Sequence, residues 1–143
     1  MKFLSALPLI TLSTEIVGSH EGSLFFISPE ISPVPIRLGL DGRNIVLGDT
    51  LAFFAYHNTD NIIIAHGDMF LTINCHGKLV LAEFPIEGFR LTQYGDSVWR
   101  KRLSFKGEYE FQLCGDGLIG FQSTCGGARW IQISYEQDWP IPM

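Results

Sequence analysis

The chain has 143 residues and a formal net charge of −5, with one short basic run, which argues against a nucleic-acid binder, because phosphate contacts demand basic patches. Its length suits one domain built on one core. Neither a Gly-x-Ser-x-Gly nor a His-Glu-x-x-His motif occurs, and the glutamates Glu83, Glu87, Glu108 and Glu110 are too dispersed to name a carboxylate pair for glycoside hydrolysis.

The first residues read as an address. Met1-Lys2 leads into the largely apolar Phe3 to Leu12, then the more polar Ser13 to Ser19, ending in Val17-Gly18-Ser19. A basic start, a short apolar run and a small-residue cleavage site form a secretory signal peptide. The run is too short to cross a bilayer, which takes about 20 apolar residues, and Lys2 and Pro8 count against a buried strand or helix. Residues 1–19 are therefore expected to be a signal peptide, and residues 20–143 one all-β domain of a secreted, extracellular protein. Losing Lys2 and Glu15 together leaves the net charge unchanged. At the far end, Gln137 to Met143 is short and broken by Pro140 and Pro142, so a lipid-anchor tail is not expected. No Asn-x-Ser/Thr triplet occurs, and N-glycosylation is not expected.

Between these ends, Gly, Pro, Asn and Asp punctuate segments rich in Ile, Val, Leu, Phe and Tyr, which is the rhythm of strands and turns. Ile36, Leu38 and Leu40 alternate with Arg37 and Gly39, placing one face in a core. Leu51 to Tyr56 and Ile62 to Ala65 are apolar throughout and read as strands covered on both faces. Trp99, Leu103 and Phe105 share a face, so Arg100 and Arg102 point the other way; the run Arg100-Lys101-Arg102 reads as the charged part of an edge strand. Tyr109, Phe111 and Leu113 alternate with Glu110 and Gln112, as Ile131, Ile133 and Tyr135 do with Gln132 and Ser134. Asp41-Gly42, His76-Gly77 and Lys106-Gly107 lie between such runs, where hairpin turns often need positive φ. About ten short strands are expected at this spacing. They suit a Greek-key β-sandwich first, with a β-trefoil or other small β-barrel as the alternative. A trefoil would show three similar units of about 40 residues; Gly77-Lys78-Leu79 and Gly117-Leu118 repeat, but no third unit is in register.

Three cysteines lie beyond the signal peptide. Cys114 closes one strand and Cys125 opens a glycine turn, so an intervening hairpin would bring the two together as a disulfide in an oxidising compartment. Cys75 continues the face of Met69, Leu71 and Ile73 and is expected to be a buried thiol. His57 and His66 flank a short segment near Asp60 and Asp68, but their spacing fits no metal motif, and no metal or cofactor is assigned. The aromatics Trp99, Trp130, Trp139, Tyr94 and Tyr56 would suffice for a sugar-stacking platform. Tryptophans in a small domain are more often core, and Trp139, in the tail, is the exception expected here. Tyr94 and Trp139 are the candidate ligand-facing aromatics.

Several phrases together resemble a family of small secreted fungal cell wall proteins, the phialide-type (PhiA-like) group. They are Phe25-Phe26-Ile27-Ser28, Ser32-Pro33-Val34-Pro35-Ile36 running on to Leu40, Ile45-Val46-Leu47-Gly48, Gly77-Lys78-Leu79, Leu103-Ser104-Phe105, Phe111 with Cys114, and Cys125 followed by Trp130. The resemblance implies a non-enzymatic protein associated with a fungal cell wall, in contact with wall polysaccharide or wall protein, and a structural pairing of Cys114 with Cys125. A lectin-like carbohydrate-binding module and a small secreted toxin or effector are the alternatives.

Overall fold

The computed structural model describes residues 21–47, 52–57, 61–65, 69–94 and 97–137. Residues 1–19 lie outside them. The described residues form strands and turns without a helix. The strands are β1 (Glu21–Ile27), β2 (Ile36–Asp41), β3 (Asn44–Leu47), β4 (Phe54–His57), β5 (Ile62–Ala65) and β6 (Met69–Ile73), followed by β7 (Leu79–Ala82), β8 (Phe89–Tyr94), β9 (Ser97–Phe105), β10 (Phe111–Leu113), β11 (Ile119–Gly120) and β12 (Arg129–Gln137).

The all-β expectation holds, and the pairings show which architecture it takes. Seven strands close an antiparallel circuit in the order β1, β2, β3, β7, β6, β5, β4 and back to β1. A second circuit uses the remaining long strands: β4 pairs β5, β8 pairs β9, β9 pairs β12 and β12 pairs β1. It closes where Gly88 and Phe89 N–H groups both donate to Asn61 O beside β5. Sheets closed in this way lack the free edges that two sheets of a sandwich would keep. The barrel-based alternative therefore replaces the sandwich preferred from the sequence.

The connections repeat every four strands, which is the trefoil plan. Each unit sends a hairpin to one end of the barrel: β2–β3, β6–β7 and β10–β11. The three hairpins meet through equivalent bridges, Asn44 to Val80, Lys78 to Gly120 and Leu118 to Val46. That places Ile45, Leu79 and Ile119 at corresponding positions, and none of them has exposed surface. Two of the turns are alike in detail. Asn74 N–H donates to Lys78 O and Gly77 N–H to Asn74 O, as Cys114 N–H donates to Leu118 O and Gly117 N–H to Cys114 O. Gly77 and Gly117 hold φ of +75° and +86°, values that favour glycine.

Inside the barrel the alternating residues meet as their period dictates. Leu24 and Phe26 of β1, Leu103 and Phe105 of β9, and Ile131, Ile133 and Tyr135 of β12 are all buried. Phe89, Phe105, Phe121 and Phe111 form a chain of rings with centroid separations of 4.8, 5.2 and 5.4 Å. Tilted and edge-on ring pairs such as these add about 0.5–1.5 kcal/mol each beyond area burial. Tyr135 is satisfied as well as buried, since its hydroxyl donates to Phe54 O at 3.1 Å and ties β12 to β4.

Three sequence readings are corrected by this geometry. Strand β9 is interior, flanked by β8 and β12, so Arg100-Lys101-Arg102 does not mark an edge. Its charges are accommodated laterally: Arg100 stands opposite Glu136 and bridges it at 3.0 Å, and the Arg102 guanidinium lies 5.3 Å from the Tyr109 ring centre. Gln112, expected in water, is buried, because its amide both donates to and accepts from the Ser123 backbone at 2.9 and 2.8 Å. Cys75 is exposed rather than buried. Strand β6 stops at Ile73, and the Asn74 side-chain oxygen accepts from His76 and Lys78 N–H groups, turning the chain before the alternation reaches Cys75.

The Cys114–Cys125 disulfide is formed, with the two Cα atoms 5.8 Å apart. It ties the β10–β11 hairpin to the segment entering β12. A bridge across a separation of 11 residues restrains the unfolded chain modestly. Cys114→Ala is expected to lower stability by about 2–3 kcal/mol in urea denaturation. An unchanged urea midpoint would show that the surrounding hydrogen bonds hold the segment unaided.

Candidate functional site

Strand β12 builds the site through its alternation. Because Ile131, Ile133 and Tyr135 point into the core, Trp130 and Gln132 must point outward. Trp130 is 62% exposed, a large apolar surface left in water. It stands in register with Gln112 of β10, so its backbone is fixed in the sheet while its side chain is uncovered. Beside it, Gln132 pairs with Ile27 at the end of β1. There the chain turns, and Ile31 and Ser32 N–H groups both donate to Ser28 O at 2.9 Å. This turn carries Glu30 to the same place. Glu110, immediately before β10, completes a depression of about 580 Å³ whose walls include Ser28, Pro29, Glu30, Glu110, Trp130 and Gln132.

Charge at this depression is one-sided. The ion pairs among the described residues join Arg43 to Glu83, Lys78 to Asp116 and Arg100 to Glu136, leaving Glu30 and Glu110 without a cationic partner there. Both glutamates are exposed. The chemistry on offer is a flat indole for stacking, two carboxylates to accept hydrogen bonds and one amide that donates and accepts.

A second depression, about 670 Å³, lies at the hairpin end of the barrel between residues 73–78 and 121–125. It is built mainly of turn backbone. Ser123 Oγ donates to His76 O, and Lys78 Nζ stands 3.1 Å from Asp116 Oδ2. The Asp116 carboxyl is held below the usual carboxylate range, first by the Leu118 N–H it accepts and then by Lys78. Cys75 and Cys125 both line this groove. No group of three or more His, Cys, Asp or Glu among the described residues is placed to hold a metal ion. His57 ends β4, while His66, Asp60 and Asp68 lie outside the described residues.

Of the sequence-predicted site residues, Cys114 and Cys125 are brought together. Trp139 and the Tyr94 side chain lie outside the described residues. Trp130, expected in the core, is exposed instead. The signal was present in the sequence: with Ile131, Ile133 and Tyr135 assigned inward, parity alone sends Trp130 to the surface. Comparison with known proteins adds no relative, since no family model, curated protein or solved structure matches the chain.

Proposed function

We propose that this chain is a secreted, non-enzymatic carbohydrate-binding protein that attaches to polysaccharide of an extracellular wall, with Trp130 as its stacking platform. The exposed indole at the rim of a polar depression carries the reading. A sugar ring has an apolar C–H face and a polar edge, and the site offers a partner for each: the ring of Trp130, and the acceptors Glu30, Glu110 and Gln132. A non-catalytic role is supported by the setting of the two carboxylates, which stand in solvent without the apolar enclosure that glycosidase general acids use. The Cys114–Cys125 bond suits an oxidising, extracellular compartment. A fungal cell wall is the setting implied by the family resemblance.

The test is retention of the purified protein on insoluble polysaccharides, compared with Trp130→Ala. Because the side chain is exposed, the variant is expected to melt at the same temperature and to bind at least about tenfold more weakly, as central aromatic anchors do. Full retention by Trp130→Ala would overturn the reading.

A further inference from the structure

We infer that the Trp130 depression selects glycans bearing free amino groups over neutral or N-acetylated ones; this rests on the carbohydrate reading above and specifies the ligand class. Its basis is charge complementarity. Glu30 and Glu110 line the same depression as the exposed indole, and neither is neutralised by a cation among the described residues. Glu83, Asp116 and Glu136, by contrast, each face a cation, Arg43, Lys78 and Arg100 in turn.

A sugar ammonium meets these groups better than a hydroxyl does. An ammonium brings a full positive charge to the bond it donates to a carboxylate, where a hydroxyl brings only a dipole. An ammonium at the edge of a stacked ring also lies near the indole face, where the ring quadrupole attracts it. Acetylation removes the charge and two of the ammonium's three donors, and it adds bulk at the position that should reach the carboxylates. An acidic sugar meets like charge and is rejected. The selection belongs to these two residues and not to the net charge, which is −5 at pH 7 and small near the pI of about 5.2.

The experiment compares three hexasaccharides with the same β-1,4 linkage, built of glucosamine, N-acetylglucosamine and glucose. Affinity is measured by calorimetry at about pH 5.5, where the sugar amine is charged, and at roughly physiological ionic strength to screen diffuse attraction. The glucosamine hexamer is expected to bind at least about tenfold more tightly than the other two. Glu30→Gln combined with Glu110→Gln is expected to erase that preference, so that within the variant the glucosamine hexamer binds no more tightly than the other two. A control removing the same charge elsewhere, Asp41→Asn with Glu87→Gln, is expected to keep the preference. Equal affinity for all three hexamers, lost in Trp130→Ala, would overturn the amine selection and leave the carbohydrate reading standing. Preference surviving the Glu30 and Glu110 changes would overturn the site assignment, and no binding to any hexamer would remove both proposals.

Discussion

Phe111→Ala is expected to lower the unfolding free energy by about 3–5 kcal/mol, the usual range for removing a fully buried aromatic ring. The ring has no exposed surface, and its centroid lies 5.4 Å from that of Phe121. Phe121 in turn meets Phe105 edge-on at 5.2 Å, and Phe105 meets Phe89 at 4.8 Å. One truncation thus opens a cavity at the end of a ring chain running between two of the trefoil units. Strand β10 has only three residues, wedged between β11 and β12, and the Phe111 ring is its fully buried apolar side chain. The check is urea denaturation with the m-value compared to the parent chain. A loss under about 1 kcal/mol would contradict the packing described. Phe111→Leu, which keeps most of the volume, is expected to cost less than about 1.5 kcal/mol.

The second large effect is expected from adding a single methyl group. Gly22 of β1 lies against β12, where a Cβ would stand 2.5 Å from Glu136 O and 2.5 Å from Cζ of the Tyr135 ring. The first obstacle is backbone and cannot rotate away. Moving the second means moving a buried ring whose hydroxyl donates to Phe54 O. Gly22→Ala is therefore expected to cost about 3 kcal/mol, the upper end of the overpacking range. It should also loosen the β1–β12 pairing selectively. Hydrogen exchange resolves this: amides in Gly22–Ile27 and Gln132–Gln137 should lose protection first. An unchanged melting temperature and exchange pattern would show that the two strands lie further apart than described.

The fold was legible where alternation continues through a strand, and illegible where a side chain bends the chain away. Ile131, Ile133 and Tyr135 are buried as their parity requires, and Gly42, Gly77 and Gly107 take the positive φ expected of their turns. Cys75 escaped because the Asn74 side chain turns the chain and β6 ends two residues before it. Gln112 escaped because a polar side chain can be buried when a backbone segment satisfies it, and Ser123 is distant enough in sequence to give no local sign. The trefoil was hidden by one hairpin. The β2–β3 turn is a residue shorter than its two counterparts, and Arg43 stands where they carry Gly77 and Gly117, yet Leu81 N–H donates to Arg43 O as Phe121 N–H donates to Gly77 O. Backbone bonds preserve the repeat after the side chains have diverged.

The site followed the same division. Trp130 could be placed outward by parity, but its neighbours Glu30 and Glu110 come from a turn after β1 and the approach to β10, far apart in sequence. They become neighbours because β12 pairs with both β1 and β10. No local pattern in the sequence encodes that triple.

The most direct measurement is a nitrogen–proton NMR titration of the protein with the glucosamine hexamer, following the tryptophan indole resonances and the backbone amides together. The Trp130 indole is expected to move most, with backbone shifts confined to the surroundings of Ser28, Glu30, Glu110 and Gln132. Shifts centred on residues 73–78 and 121–125 at the hairpin end, or a Trp130 indole that stays in place at saturation, would contradict it.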